Sequence, residues 1–544
     1  MNVYLLSSEY ARLSDFRPHD PKVAKTAIEA RKGVLLHDCC GWVFQDEHSN
    51  SWWSGQDSDT LWISGDPGKG KTMISLAVIE ELTARLLPPS NTPVKIPLIY
   101  FFCQADVPHK RTAISVIRGL IFMLVETFPA VIHHLRKRYD SAKKTLFEDH
   151  DPLHESQILL EEILADSGIS LLYIVIDALD ECIEQQMDLL NWIVRCQETL
   201  LAKVKWVLTS RNEPKIREIL TGNDRLINTS LELNDDKISY AVKLYVDHKV
   251  GELAKKKRYS PALHQFVKQE LFEKSENTFL WVALVCDSLT KLTMSREAKV
   301  RKALDEIPKG LHDLYKRMKT QIELLEDEED KDCCIRLLSF QTVAYSPVST
   351  LEIGHLAGLS LEIAGNVQDI EGLLAHCGSF VAVRNGLVEF VHLSAREFCS
   401  GSDGFVGAEP ENQKWHCDII NRALSLMERV MEDGDIYVPR YTDLRLDQID
   451  GDLIRRISWR FGYACLNWLK HFIVVARVVL VTENNSEMVH RLDWFLKTHL
   501  LRWLEAVIVL QGLPQIAYSV QTFESILDVS CGYYESYQLL MRLS

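Results

Sequence analysis

Apolar and polar positions follow two different rhythms along this chain, and the change between them falls near residue 234. Before it, short apolar runs recur at Leu61–Ile63, Leu98–Cys103, Leu171–Ile176, Trp206–Leu208 and Leu226–Leu233. Between them lie segments with apolar side chains at helical spacing, among them Met73–Leu82, Ile114–Phe128 and Ile158–Leu164. A strand that is apolar on both sides must be covered on both sides, so this alternation predicts a parallel sheet with helices on both faces. The stretch Pro88-Pro89-Ser90-Asn91-Thr92-Pro93 reads as the loop between the first helix and the second strand.

Beyond residue 234 the strand rhythm fades. Helical periodicity dominates from Ile238 through Leu325, and the acidic run Glu326–Asp332 then reads as a solvated helix end or loop. Two apolar runs, Phe380–Val383 and Leu387–Leu393, flank Arg384-Asn385-Gly386, and an Asn-Gly pair in that position signals a hairpin. Helices followed by a small hairpin are the pattern of a winged-helix module. Gly401–Gln413 reads as a boundary, and Trp415–Ser544 is helical again. The expected organisation is therefore a short leader or docking helix over 1–35 and a nucleotide-binding domain over 36–234. A helical domain over 235–325, a winged-helix-like domain over 326–400 and an all-α C-terminal domain over 415–544 follow. No repeat of 20 to 50 residues is visible.

The first apolar run leads into Gly65-Asp66-Pro67-Gly68-Lys69-Gly70-Lys71-Thr72, the G-x-x-x-x-G-K-[ST] spacing of a P-loop. Gly65 and Gly70 are expected to let the backbone bend tightly and aim successive N–H groups at a phosphate chain. Lys71 is expected to reach the β- and γ-phosphates and the Thr72 hydroxyl to bind Mg²⁺. The following helix turns its positive end toward the same phosphates.

A second apolar run, Leu171–Ile176, ends in Asp177-Ala178-Leu179-Asp180-Glu181. A buried strand that ends in a carboxylate suits a Mg²⁺ site, which makes Asp177 the expected metal carboxylate. Asp180 or Glu181 could orient or deprotonate an attacking water. A third strand ends in Thr209-Ser210-Arg211. If it lies between the other two, Arg211 sits at the γ-phosphate end, where a guanidinium senses whether that phosphate is present.

Together these three segments resemble the P-loop, Walker B and sensor-1 segments of NACHT-domain NTPases of the STAND (NLR-like) class. The likeness is greatest to fungal signal-transduction ATPases related to heterokaryon-incompatibility proteins. Further segments agree: Phe101–Gln104, Ile117–Leu120, Thr278–Val282, Pro308–Tyr315 and Phe390–Phe398, with weaker likeness at Cys465–Trp468 and His499–Glu505. The resemblance covers roughly residues 35–400 and continues weakly to about 510. It implies ATP or ADP (GTP remains open) with Mg²⁺, slow hydrolysis, and self-association or co-assembly with other NACHT proteins. It also implies a histidine of the winged-helix module on the β-phosphate of ADP, a place that His392 matches. On that expectation His392→Ala weakens ADP retention more than ATP retention in a nucleotide-release assay; equal losses remove His392 from the site. Family members carry an N-terminal signalling domain and C-terminal ankyrin or WD repeats, and neither pattern is visible in this sequence.

Bulk properties narrow the classes. At 544 residues the chain exceeds one core, and 47% hydrophobic with 25% charged residues is ordinary globular composition. A net charge of −15 argues against a dedicated nucleic-acid binder. The basic clusters Arg136–Arg138 and Lys255–Arg258 lack interleaved aromatics and read as solvated helix faces. Thirteen cysteines without C-x-x-C spacing suggest reduced, buried thiols. Met1–Arg12 lacks signal-peptide character, and no apolar stretch approaches the length of a membrane span, so a soluble cytoplasmic protein is expected. A nucleotide-operated signalling switch is the resulting reading. A catalytic P-loop enzyme such as a kinase or motor is one rival, and a non-hydrolysing scaffold or decoy without effector and sensor repeats is the other.

Overall fold

In the computed structural model the five apolar runs of the first half become five parallel strands: β1 (Thr60–Ser64), β2 (Leu98–Phe102), β3 (Leu171–Asp177), β4 (Lys203–Ser210) and β5 (Leu226–Ser230). The structure describes residues 20–32, 37–44, 51–53, 55, 59–86, 96–135, 152–166, 169, 171–199, 203–222, 225–291, 296–407, 411–432, 451–481 and 486–527. The chain forms two compact units, Met1–Leu311 and His312–Ser544.

In the first unit the strand order is β2-β3-β4-β1-β5. All five residues of β1 are buried, which requires cover on both faces. The cover comes from the connecting helices, which include α3 (Lys71–Arg85), α4 (Ala113–Thr127), α5 (Pro152–Asp166), α6 (Gln186–Thr199) and α7 (Pro214–Thr221); α1 (Pro21–Lys32) and α2 (His37–Cys40) precede them. The step from β1 to β2 runs one way across the sheet and every later step runs back. Right-handed crossovers therefore place α3 on one face and α4 to α7 on the other.

Local chemistry sets the element ends. Thr112 caps α4 by accepting the Ser115 N–H. The strand expected over 226–233 stops at Ser230 because the Ser230 hydroxyl accepts the Leu233 N–H and its carbonyl accepts from the Asn234 amide, closing a turn. Strand β4 is longer than its apolar run because buried Lys205 directs its ammonium onto the carbonyls of Trp52 and Gly55. The helical stretch after residue 234 resolves into α8 (Asp235–Lys257), α9 (Pro261–Lys274), α10 (Phe279–Lys291) and α11 (Glu297–Glu306). Lys255–Arg258 closes α8, where cations suit the carbonyl end of a helix. Arg136–Arg138 and Pro88–Pro93 lie outside the described residues.

The second unit opens with α12 (Leu311–Glu323). The acidic run then becomes the start of α13 (Glu328–Val343), with Asp327 accepting the N–H groups of Glu329 and Asp330. Strand β6 (Val348–Ser349) and the hairpin β7 (Val381–Arg384) and β8 (Leu387–Phe390) form an antiparallel sheet in the order β6-β8-β7. Asn385 and Gly386 both have positive φ (51° and 75°), as a two-residue hairpin turn requires. Three short helices, α14 (Ile353–Ala357), α15 (Leu361–Ala364) and α16 (Val367–His376), lie between β6 and β7, and α17 (Leu393–Ser400) follows the hairpin. Strand β8 ends three residues short of the apolar run. His392 instead caps α17, its Nδ1 accepting the Ser394 N–H at 3.1 Å.

The C-terminal part is helical: α18 (Glu411–Glu432), α19 (Gly451–Val481), α20 (Ser486–Val509) and α21 (Leu513–Leu527). Helix α19 breaks at Phe461, and the buried Glu352 carboxylate accepts the N–H groups of Tyr463 and Ala464 that the break frees. Trp468 and Trp503 meet edge to face in the core of this bundle. The described cysteines are free thiols, all buried except Cys417. Among the described residues no helix is long and apolar enough to cross a membrane.

Candidate nucleotide site

Strand pairing brings the three polar segments to one edge of the sheet. Strand β4 pairs with β1 through Ser64↔Ser210 on one side and with β3 through Ile176↔Leu208 on the other. The P-loop leaving β1 and the acids leaving β3 therefore flank Thr209–Arg211.

The loop bends at Gly68 (φ +79°) and at Gly70 (φ +90°), which sits directly before the first turn of α3. A Cβ at Gly68 would lie 2.9 Å from side-chain carbons of both Thr278 and Leu280, so glycine is needed for conformation and for space. Gly65 donates its N–H to the Ser210 carbonyl at 3.1 Å, and Asp66 donates its own to Glu232 Oε1 at 2.7 Å. Lys69 reaches the Glu276 carbonyl at 2.9 Å. The Lys71 ammonium folds over the loop onto the carbonyls of Gly65 and Asp66. Burial lowers the Lys71 pKa, opposed most strongly by Asp180 among the carboxylates. Pro67 lies in the loop's turn, and Thr72 follows in the first turn of α3.

Asp177 is buried at the end of β3. Its Oδ1 accepts from the Ser75 hydroxyl at 2.6 Å and from the Thr209 hydroxyl at 2.7 Å. Two donors on one oxygen fix the carboxylate's rotation, which sets the direction Oδ2 faces. Thr209 in turn accepts the Ala178 N–H at 3.0 Å, holding Ala178 in a left-handed conformation (φ 54°). Asp180 accepts the Arg211 N–H at 3.1 Å and pairs with its Nε at 3.1 Å. Glu181 accepts the Ala105 N–H, and desolvation, with Asp180 next, pushes its carboxyl up to about 8.

Residues 38–211 match the family described as Nephrocystin 3, N-terminal. Over 536 residues the chain is 33% identical to the vegetative incompatibility protein HET-E-1 of Podospora anserina, an alignment that covers 95% of this chain and 38% of that protein. Both matches support a NACHT-type NTPase, the class that the three motifs resemble.

The chain spans well under half the length of this curated relative. Solved structures that the chain matches include the Aeropyrum pernix ORC1 protein in complex with DNA (18% identity, TM-score 0.27, covering 67% of this chain and 92% of that one). The Walker-type ATPase of Pyrococcus abyssi is another (13% identity, TM-score 0.30, covering 65% and 95%). Superposition at those scores is loose, and the fold assignment rests on the strand order and P-loop described above.

The donor set suits a nucleotide phosphate chain. Two left-handed glycines, an ammonium that otherwise satisfies itself on loop carbonyls, a hydroxyl at the helix start and a rotation-locked carboxylate are what an oxyanion with a hard cation requires. Among the described residues no group of three or more His, Cys, Asp or Glu side chains could hold a metal alone. A cation at Asp177 and Thr72 would take most of its ligands from phosphate and water.

Ser75 and the wall of Thr278, Phe279 and Leu280 were not identified as site residues from the sequence. The signal for Ser75 was a hydroxyl at Lys71 + 4, on the face of an otherwise apolar helix run. The wall stood out only as part of the Thr278–Val282 family resemblance, because its approach to Gly68 and Gly70 is tertiary.

Proposed function

We propose that this chain is a nucleotide-operated signalling switch, binding ATP and ADP (GTP being the alternative) with Mg²⁺. It hydrolyses the triphosphate slowly and uses the difference between nucleotide states to control self-association. The observation that carries the reading is the convergence of Gly65–Thr72 and Asp177 on the two sides of Thr209–Arg211. In this reading Lys71 and the loop N–H groups bind the phosphates, and Thr72 and Asp177 hold the cation. Arg211 reads the terminal phosphate.

A ligand shifts a two-state equilibrium only through differential affinity, and reversing a 1:99 population takes about 5.5 kcal/mol. Two or three charge-assisted hydrogen bonds of about 1.5–3 kcal/mol each supply it. The test is the nucleotide that copurifies with the protein, together with its mass in solution under ADP and under a non-hydrolysable triphosphate. A bound purine diphosphate and a larger mass with the triphosphate are expected. Protein free of nucleotide, with one mass under both conditions, refutes the switch.

A second reading, a scaffold that binds nucleotide without turnover, draws on one observation. Asp180 is engaged by Arg211 through both of its carboxylate oxygens, so it does not stand ready as a general base. Phosphate release in single-turnover experiments separates the two readings.

A further inference from the structure

We propose that the Asp180 carboxylate is a built-in substitute for the terminal phosphate of a bound triphosphate, holding Arg211 until that phosphate displaces it and so setting the selectivity between triphosphate and diphosphate. The proposal rests on the nucleotide-binding reading above and adds a role for Asp180 different from that of a general base.

Both oxygens of Asp180 are used by one residue: Oδ1 by the Arg211 N–H and Oδ2 by its Nε, each at 3.1 Å. Paired, charge-assisted contacts of this kind are strong and directional. The backbone of Arg211 is pinned from the other side as well. The Trp62 indole donates to the Ser210 hydroxyl at 2.8 Å, and that hydroxyl donates to the Arg211 carbonyl at 2.7 Å. The main chain of Arg211 is thereby anchored at both its N–H and its carbonyl, so an exchange of partners falls to the side chain.

Exposure agrees with this division. The Arg211 side chain is 21% exposed and that of Asp180 5%, so the cation stands at the accessible edge with the acid behind it.

The consequence is a competition. A phosphate group offers more charge and more acceptor oxygens than a carboxylate, so the guanidinium exchanges partners when one arrives. Asp180 keeps its bond to the Arg211 N–H while the guanidinium changes partner. A diphosphate, ending one group earlier, does not drive the exchange. Asp180 is therefore a positioning residue that acts through Arg211.

The test measures dissociation constants for ADP and for a slowly hydrolysed ATP analogue by calorimetry. Wild type, Asp180→Asn, Arg211→Gln and the double variant are compared, all with Mg²⁺. Asparagine retains an acceptor for the Arg211 N–H but removes the charge that holds the guanidinium. The expected result is a selectivity ratio, ADP over analogue, that rises about tenfold in Asp180→Asn. It falls below wild type in Arg211→Gln and shows no gain in the double variant.

An unchanged or lowered ratio in Asp180→Asn overturns the proposal, including the case in which hydrolysis alone is lost, which makes Asp180 a base. A gain that survives in the double variant also overturns it, because the effect then bypasses Arg211. If Asp180→Asn fails to fold, Arg211→Gln decides alone: an unchanged ratio overturns the proposal. Failure of the wild type to bind either nucleotide is a different result, and it sinks the nucleotide-binding reading itself.

Discussion

Lys71→Ala is expected to abolish nucleotide binding, weakening affinity for ADP and for triphosphate analogues by more than about 100-fold. The ammonium lies over the P-loop on the carbonyls of Gly65 and Asp66, close enough to leave them for phosphate oxygens. Losing two charge-assisted contacts of about 1.5–3 kcal/mol each corresponds to roughly 10²–10⁴ in affinity. The fold does not rest on this side chain, since its hydrogen-bond partners are carbonyls of its own loop. Thermal melting without nucleotide should therefore be close to wild type while calorimetric titration shows no binding. Wild-type affinity in a folded Lys71→Ala protein would remove the P-loop assignment.

Asp177→Asn is expected to make triphosphate binding insensitive to Mg²⁺. The carboxylate is buried, and Ser75 and Thr209 both donate to its Oδ1, so it presents one fixed orientation. Asparagine keeps the shape but removes the negative charge that a hard cation requires. If the carboxylate acts through metal-bound water, its loss costs about 10–100-fold in metal affinity. The measurement is triphosphate-analogue affinity in Mg²⁺ and in EDTA. The wild type should bind at least about tenfold more tightly with Mg²⁺, and Asp177→Asn should give one value for both. Mg²⁺ dependence that survives the substitution would place the cation elsewhere. Ser75→Ala and Thr209→Ala should produce smaller losses in the same direction, because each removes one of two donors to Oδ1.

Much of this site was legible because its determinants are local. The G-x-x-x-x-G-K-[ST] spacing lies within eight residues, and a strand apolar on both faces reveals its burial directly. Strand β4 was partly hidden. Lys203 and Lys205 look wrong for a buried strand, and Lys205 is accommodated only because carbonyls some 150 residues earlier receive its ammonium. The end of β8 was misjudged for a local reason, since His392 looks like part of an apolar run until its ring is seen capping α17.

The primary sequence by itself determined the class of chemistry: a phosphate loop, a carboxylate-ending strand and a strand ending in arginine, in the order found in NACHT-type NTPases. Short-range spacing and burial periodicity suffice for that, because each motif is built from residues adjacent in the chain. Only the tertiary structure decided how the acids divide their work. Strand β4 runs between β1 and β3, which sets Arg211 on Asp180, 31 residues away, and Ser75 on Asp177, 102 residues away. Three carboxylates in five residues are equivalent in one dimension. They become distinct once separate partners, an arginine, two hydroxyls and one backbone amide, approach them from the end of β4, from helix α3 and from the turn after β2.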